Sequence, residues 1–539
     1  MFSRVWLVRL YLLATSAYFQ AITADNVTDE ALFELENKSK DDDVKYFTGY
    51  NGAKITNIIN SLSVGKYGPI LLTDNIFLEK IGHLNRERIP ERRVSARGNG
   101  AFGFFKCTND GLSDITEASL FSEKGKKTKI AVRFGLVTSR IGSAETRRDA
   151  VTMAVKFYTD KGNWDLLMDT FPVFAIRDPI RYPDLIHAFN ADPKNNLENL
   201  NMRFDYISLV PETLPRITYL YSDRGIPDGW RHMDAYSPNT FKFVNKKRDY
   251  IYVRFMVESQ QGTKTLTDEK AAELRGTTPD YSSRDLYDSI KNGDYPKWTL
   301  KAQLLDPSKV EKLKFNPFDV TKSWDPNMFP YMTLGEIELD KNPSNWFSQV
   351  EQMAFNPASL PPGIQYTLDK VLQGMLFIYR DAQNYRLGVN HYKLAVNKPI
   401  VPINQPTIRD GFCADWENGG SDPNYYPNSY GETRDSMKDT ELPILIPADE
   451  EIRRFNTMDD DNYSEANKIW RSFDKKEQWR VVRRMATDLV EVKDFIVDRF
   501  AKQIKRINEN YYNKLMDAME DEKRNPMNRF TNYTHLLIK

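Results

Sequence analysis

The chain has 539 residues, 75 Lys+Arg against 75 Asp+Glu, 40% hydrophobic and 12% aromatic residues. This length allows a large core and more than one structural unit, and the composition is that of a folded protein rather than a disordered one. The absence of net charge removes the electrostatic footprint of a nucleic-acid binder. The two cysteines, Cys107 and Cys413, can build neither a disulfide scaffold nor a cysteine metal cluster, and their sequence positions leave open whether they pair.

Along the chain, residues 1–24 place Arg4 before an apolar stretch that ends in small residues, which predicts a secretory signal peptide and no membrane span after its removal. Asn26, Asn37, Asn462 and Asn532 each sit in an N-x-[ST] triplet and become candidate glycan sites in an exported protein. The C-terminal LLIK is not a peroxisomal address of the S-K-L type. Residues 25–45 are acidic and polar, with order expected to begin near Tyr46.

From about residue 100 to 260, β-rich runs such as KIAVRFGLV, AVTMAVKFYT and DYIYVRFMV alternate with Gly/Asp/Pro turns, predicting an antiparallel barrel with inserted helices. Residues 390–450 are rich in Pro, Asn, Gly and Tyr and read as an extended wrapping segment. Beyond them Ile469, Phe473, Val482, Met485, Leu489, Val492, Phe495, Ile496, Phe500, Ile504 and Ile507 recur at three- and four-residue steps, the period of a helical domain.

The chemistry is sparse when read from spacing alone. Five histidines, His83, His187, His232, His391 and His535, lie far apart and form no H-x-x-x-H pair, so each reads as structural or surface. There is no G-x-S-x-G, no G-x-x-x-x-G-K-[ST] and no C-x-x-C.

One irregular stretch is more specific. RIPERRVSARGNGAFGFF at 88–105 resembles the signature of the haem catalases, and matches follow in order: KIAVRF at 129–134, VKFYTDKGNWDL at 155–166, IRDPI at 176–180, SDRGIPDG at 222–229, FNPFDVTKSW at 315–324, VEQMAFNPASLPPGI at 350–364 and LFIYRDAQNYRLG at 376–388. The resemblance, to the monofunctional small-subunit type, spans roughly residues 46–520. It implies an α+β catalase fold: an antiparallel β-barrel with inserted helices, a wrapping segment, a C-terminal helical domain, and a homotetramer. The implied division is a signal peptide (1–24), an N-terminal arm (25–75), a barrel core with a haem pocket (76–388), the wrapping segment (389–450), the helical domain (451–520) and a tail (521–539).

Residue by residue, the resemblance makes Tyr379 the axial ligand of a haem b iron. It makes Arg92, Arg133 and Arg386 the partners of the haem propionates, since guanidinium groups match carboxylates bidentately, and places Tyr182 over the ring. Met375 stands where the family has an arginine behind the tyrosine, a change that should raise the phenol's pKa. Ser95 stands at the distal histidine, and a hydroxyl with no titration near neutrality cannot shuttle the peroxide proton; loss of such a group removes roughly two to four decades of rate. Asp169 stands at the distal asparagine and is the candidate for a substitute base, although the ordinary aspartate pKa of about 3.9 makes it a poor donor.

Gly135, in place of a serine, and the DAVTM run at 149–153 depart from the family in the same direction. Ser222, Arg224, Tyr236 and Trp324 match an NADPH pocket found in some catalases. Asp234, Pro326 and Pro215 do not, and a carboxylate facing a phosphate repels it, so NADPH is not expected.

The reading is a secreted catalase-like haem protein, with hydrogen peroxide as the ancestral substrate and weak or no catalase turnover. Two rivals stand beside it. One is a working catalase or slow peroxidase that uses Asp169 and water; the other is a haem-free structural or interaction protein.

Overall fold

In the computed structural model the described residues are 46–414, 417–430, 433–436, 442–443 and 451–524. The signal peptide, the sequons at Asn26, Asn37 and Asn532, His535 and the end of the tail lie outside them. Two compact units are present, residues 1–89 and 90–539. In the first, helix α1 (Asn75–Leu84) starts where the Asp74 carboxylate accepts the Phe77 N–H and, from a preceding turn, the Leu62 N–H. His83 belongs here too, with Nδ1 2.8 Å from the Tyr50 hydroxyl oxygen.

The second unit is built on β1 (Gly98–Cys107), β2 (Lys127–Leu136), β3 (Val151–Thr159), β4 (Gly162–Asp169), β5 (Ala235–Tyr236), β6 (Phe241–Val244), β7 (Tyr250–Ser259), β8 (Lys297–Leu305), β9 (Tyr331–Lys341) and β10 (Ile364–Gln365). The strands run in the order β10-β6-β7-β5-β4-β3-β2-β1-β9-β8, and β8 returns to pair with β7. Eight antiparallel strands therefore close a barrel, with β6 and β10 appended, and closure removes the exposed edges that an open sheet would carry. Its interior is aromatic: Phe157 stacks on Trp164 at 4.6 Å between ring centroids, and Phe134 stacks on Trp230 at 5.4 Å.

Helices α2 (Tyr182–Ala188), α3 (Leu200–Leu209) and α4 (Leu214–Tyr221) are inserted between β4 and β5. Helices α5 (Asp268–Thr277) and α6 (Tyr281–Lys291) lie between β7 and β8, and α7 (Lys370–Leu387) follows β10. The last four helices are α8 (Ser464–Ser472), α9 (Lys475–Leu489), α10 (Asp494–Ile507) and α11 (Glu509–Arg524). Their apolar stripe packs with Phe204, Ile207, Leu214 and Ile217 of α3 and α4 into one core. The α+β architecture expected from the sequence is thus present. Two details differ. Phe495, placed on the stripe by spacing, is 61% exposed because it falls beside rather than on the buried face. Asn462 is 3% exposed and its side-chain amide donates to the Met458 carbonyl, so this sequon is closed to glycan attachment on the folded chain.

The barrel wall also carries a buried ion pair. Lys156 Nζ donates to both Asp165 oxygens at 2.6 and 2.9 Å, and the carboxylate also accepts the Asn356 N–H at 2.8 Å. Removing one member strands the other charge out of water. Asp165→Ala is therefore expected to lower unfolding free energy by about 3–5 kcal/mol, measured by denaturant titration, and the double change Lys156→Met/Asp165→Leu to cost less than that single one.

Candidate functional site

Helix α7 supplies the centre of the site. Asp369 caps it by accepting the Leu372 N–H at 2.9 Å, and Gly388 ends it at φ 88°, a conformation that suits glycine. Between these ends Met375, Tyr379, Gln383 and Arg386 fall at steps of four, four and three residues and so share one face. Tyr379 and Arg386 from this face line a cavity of about 1020 Å³, together with Arg92, Ser95, Arg133 and Tyr182. That is at the upper end of the roughly 300–1,000 Å³ typical of small-molecule and cofactor sites. All seven candidate residues named from the sequence sit here or, for Asp169, in a contiguous cavity of about 110 Å³ that Ser95, Tyr182 and Tyr379 also line.

One wall is a basic cradle. Arg92, from the loop before β1, donates through Nη1 to Glu351 Oε2 at 3.0 Å and through Nη2 to the carbonyls of Val350, Glu351 and Met353. Arg386 donates through Nη2 to Glu351 Oε1 and to the Glu351 carbonyl, both at 3.1 Å, through Nη1 to Gln383 and through Nε to the Pro90 carbonyl. Arg133, on β2, donates to the carbonyls of Ser95 and Ala96 at 2.8 and 3.0 Å, while its Nε is buried without a partner. Burial, followed by repulsion from Arg133 and Arg386, holds the Arg92 pKa well below its usual range. Burial lowers Arg133 to about 10, with Glu351 opposing and Arg386 reinforcing the shift. Three guanidinium groups thus share one carboxylate.

The other wall is built differently. Ser95 sits at φ 57°, a left-handed conformation that is costly for a residue with a Cβ. The loop is nevertheless held: the Ser95 N–H donates to the Val137 carbonyl, its carbonyl accepts from Arg133, and its Oγ lies 3.1 Å from the Thr152 hydroxyl. Gly135 has a packing reason, since a Cβ there would lie 2.9 Å from both Arg133 Nη1 and the Arg97 carbonyl, and 3.1 Å from Ser95 Cβ.

Asp169, at the end of β4, is neutralised by Arg216 of α4: Arg216 Nη2 donates to its Oδ2 at 2.8 Å, and the Phe171 N–H donates to its Oδ1 at 2.8 Å. Arg216 also donates to the Val173 carbonyl at 2.9 Å and lies between the rings of Phe171 and Phe174. Asp169, the candidate substitute base, thus has a cation in direct contact with its carboxylate.

Burial pushes the Tyr379 phenol up to about 12, and the charge of Asp169 adds to the shift. No cation among the described residues offsets the shift, and Met375 stands one turn away. Burial likewise raises Tyr182, with Tyr379 adding to the shift and Arg93 opposing it.

The residues matched to an NADPH pocket are engaged internally. The Ser222 hydroxyl donates to the Tyr219 carbonyl, Trp324 Nε1 donates to the Pro317 carbonyl, Arg224 donates to the Tyr236 hydroxyl at 3.2 Å, and Asp234 accepts the Ser259 N–H. Cys107 is buried and Cys413 exposed, and both are free thiols. No group of three potential metal-ligating side chains occurs among the described residues, and none of their helices is long and apolar enough to cross a membrane. Sequence reading missed Glu351, Arg216 and Thr152, together with His187 on the larger cavity's lining.

A closed antiparallel barrel with inserted helices and a C-terminal helical region is the fold of one known family. The chain belongs to the catalases: the family described as "Catalase" matches residues 48–432, and that described as "Catalase-related immune-responsive" matches residues 457–519. It is 43% identical over 475 residues to a catalase of Ascaris suum, covering 88% of this chain and 87% of the relative. A solved bacterial catalase superposes with a TM-score of 0.84 at 32% identity, covering 89% of this chain and 97% of its own. A fungal catalase superposes with a TM-score of 0.82 at 34% identity, covering 89% and 98%. Proteins of this family generally bind haem and use hydrogen peroxide, and the chain is related to those peroxide-decomposing enzymes.

Two measurements probe these walls. A phenol whose pKa rises from about 10 in the unfolded chain to about 12 in the folded one stabilises the fold below pH 10 and loses that contribution between pH 10 and 12. Tyr379→Phe, compared with wild type by denaturant titration of the haem-free protein, is expected to show a shallower alkaline loss in that window. In a double-mutant cycle, Arg216→Gln strands the Asp169 charge and should cost about 3–5 kcal/mol, whereas Asp169→Asn/Arg216→Gln should recover most of it.

Proposed function

We propose that the chain is a haem b protein with little or no catalase turnover, exported from the cell and assembled as a homotetramer. The observation that carries the haem assignment is the charge of the cradle. Arg92, Arg133 and Arg386 bring three positive charges into a buried wall, Glu351 returns one negative charge, and Arg133 Nε is left with a donor aimed at no acceptor. A buried excess of two positive charges calls for a ligand bearing two carboxylates, because unbalanced charge out of water is costly. Haem b meets that requirement, and the cavity has the size for it.

In this reading Arg92, Arg133 and Arg386 bind the two propionates, Tyr182 covers the ring, and the Tyr379 oxygen is the iron ligand. Haem bound here supplies a redox centre for peroxide chemistry. What the chain adds on the far side is limited. Ser95 occupies the place where the family resemblance puts the distal histidine, and its hydroxyl neither takes nor returns a proton near neutral pH. Asp169 is engaged by Arg216 at 2.8 Å rather than turned to a substrate. The phenol, raised to about 12 with no cation beside it, would lose its proton to water on binding a ferric iron less readily than a phenol next to an arginine would.

Titration of the purified full chain with ferric haem is expected to give a Soret band that saturates at one haem per chain, and Tyr379→Phe should shift or weaken that band. A chain that takes up no haem overturns the proposal. With haem bound, oxygen release from hydrogen peroxide should run at least ~100-fold below that of a working catalase, and Ser95→His combined with Asp169→Asn and Met375→Arg should raise it. Rates near those of a working catalase in the unaltered protein would refute the loss of turnover. Export is tested by finding the product in the medium with its N-terminus near residue 25, and assembly by the mass of that product in solution.

A further inference from the structure

Glu351 contributes to the cradle in a way that none of the three arginines does. It is 4% exposed and ends the short helical turn Phe347–Glu351. Its two carboxylate oxygens diverge, Oε2 accepting from Arg92 and Oε1 from Arg386, at 3.0 and 3.1 Å. Its own carbonyl accepts from the same two side chains at 2.8 and 3.1 Å. A single residue therefore ties the loop before β1 to helix α7 by four hydrogen bonds, two of them carrying its charge. The other acceptors of these arginines are uncharged: the carbonyls of Val350, Met353 and Pro90, and the Gln383 amide oxygen. The hydrogen bonds of Arg133 go to two carbonyls.

We propose that Glu351 is the positioning residue that fixes the charge of this cradle at plus two, and so makes the pocket selective for tetrapyrroles that carry two carboxylates. Three guanidinium groups without it would repel one another in a buried wall with no anion at all. With it, a dicarboxylate brings the wall to neutrality, whereas a ligand without carboxylates leaves two buried charges unmatched. Glu351 acts through Arg92 and Arg386 and need not touch the ligand.

The inference rests on the haem reading, and the experiment separates the two. Wild-type full chain is titrated with ferric protoporphyrin IX and with its dimethyl ester, which has the same ring and iron but no ionisable carboxylates. Expected is a preference for the diacid of about 100-fold, the scale of two charge-assisted hydrogen bonds. If neither probe binds, the haem reading fails. If both bind alike, the cradle does not read carboxylates and the present inference fails while haem binding stands.

Glu351→Gln keeps the shape and the carbonyl contacts but raises the cradle to plus three. Its haem-free form should melt lower than wild type, its haem-induced rise in Tm should be larger, and its diacid preference should grow by about 10-fold, one such bond's worth. A merely structural glutamate would lower both forms alike and leave the preference unchanged, and that result overturns the inference. Glu351→Asp, which shortens the side chain but keeps its charge, is the second variant. It should hold the wild-type diacid preference even if Glu351→Gln alone folds too poorly to titrate, and a preference that grows in Glu351→Asp as it does in Glu351→Gln overturns the inference.

Discussion

The site depends on how three guanidinium groups are kept side by side out of water. Each is anchored in a different part of the chain: Arg92 in the loop before β1, Arg133 in the barrel wall, Arg386 on α7. Taken together they place most of their hydrogen bonds on main-chain carbonyls, which accept without cancelling charge. The hydrogen bonds therefore fix the geometry while the charge remains available for a ligand. A carboxylate for every arginine would have fixed the same geometry and extinguished the site. Helix α7 is clamped at Arg386 and capped at Asp369, with Tyr379 between the two.

The opposite wall follows the reverse rule. Asp169 and Arg216 are both charged, both buried and paired at 2.8 Å, with Phe171 and Phe174 flanking the guanidinium. General acid–base catalysis needs a group that can exchange a proton with the substrate, and the members of this pair are engaged with each other. Ser95 and Thr152 add hydroxyls whose hydrogen bonds stay near the wall, to each other and to the Gly135 carbonyl. The two walls thus differ in kind: the cradle leaves positive charge uncancelled, and the opposite wall pairs its charges internally.

How much of this was legible in the sequence follows from what is local. Tyr379 and the three arginines lie in irregular motifs of several residues, which resemblance detects. The barrel was legible from the runs between 100 and 260. Strands β8 and β9, however, read as KWTLKAQLL and YMTLGEIELDK, where Lys and Glu on the outward face dilute the apolar alternation, although Trp298, Leu300 and Ala302 and Leu334, Ile337 and Leu339 are buried. Glu351 lay inside a quoted motif but had no local signal, because its partners stand 259 and 35 residues away. Arg216 in LPRITYLY looks like a solvent-facing helix residue until α4 is laid against β4. Charge pairing across the fold is a tertiary property, and single-chain spacing does not encode it.

A second charged cavity shows why uncompensated charge, rather than charge as such, marks a site. At about 970 Å³ it nearly equals the cradle's cavity in size and contains more arginines. Yet its half-exposed floor is an alternating chain in which Arg148 pairs with Asp268, Asp268 with Arg484, Arg484 with Asp223, and Asp223 with Arg480. Each interior member meets opposite charge on both sides, and the chain joins α9 of the helical domain to α5 and to the turn after α4. Such a seam is complete without a ligand and functions as a fastening. The cradle at Arg92, Arg133 and Arg386 is not complete, and its excess of two charges is the feature on which the proposed ligand class rests.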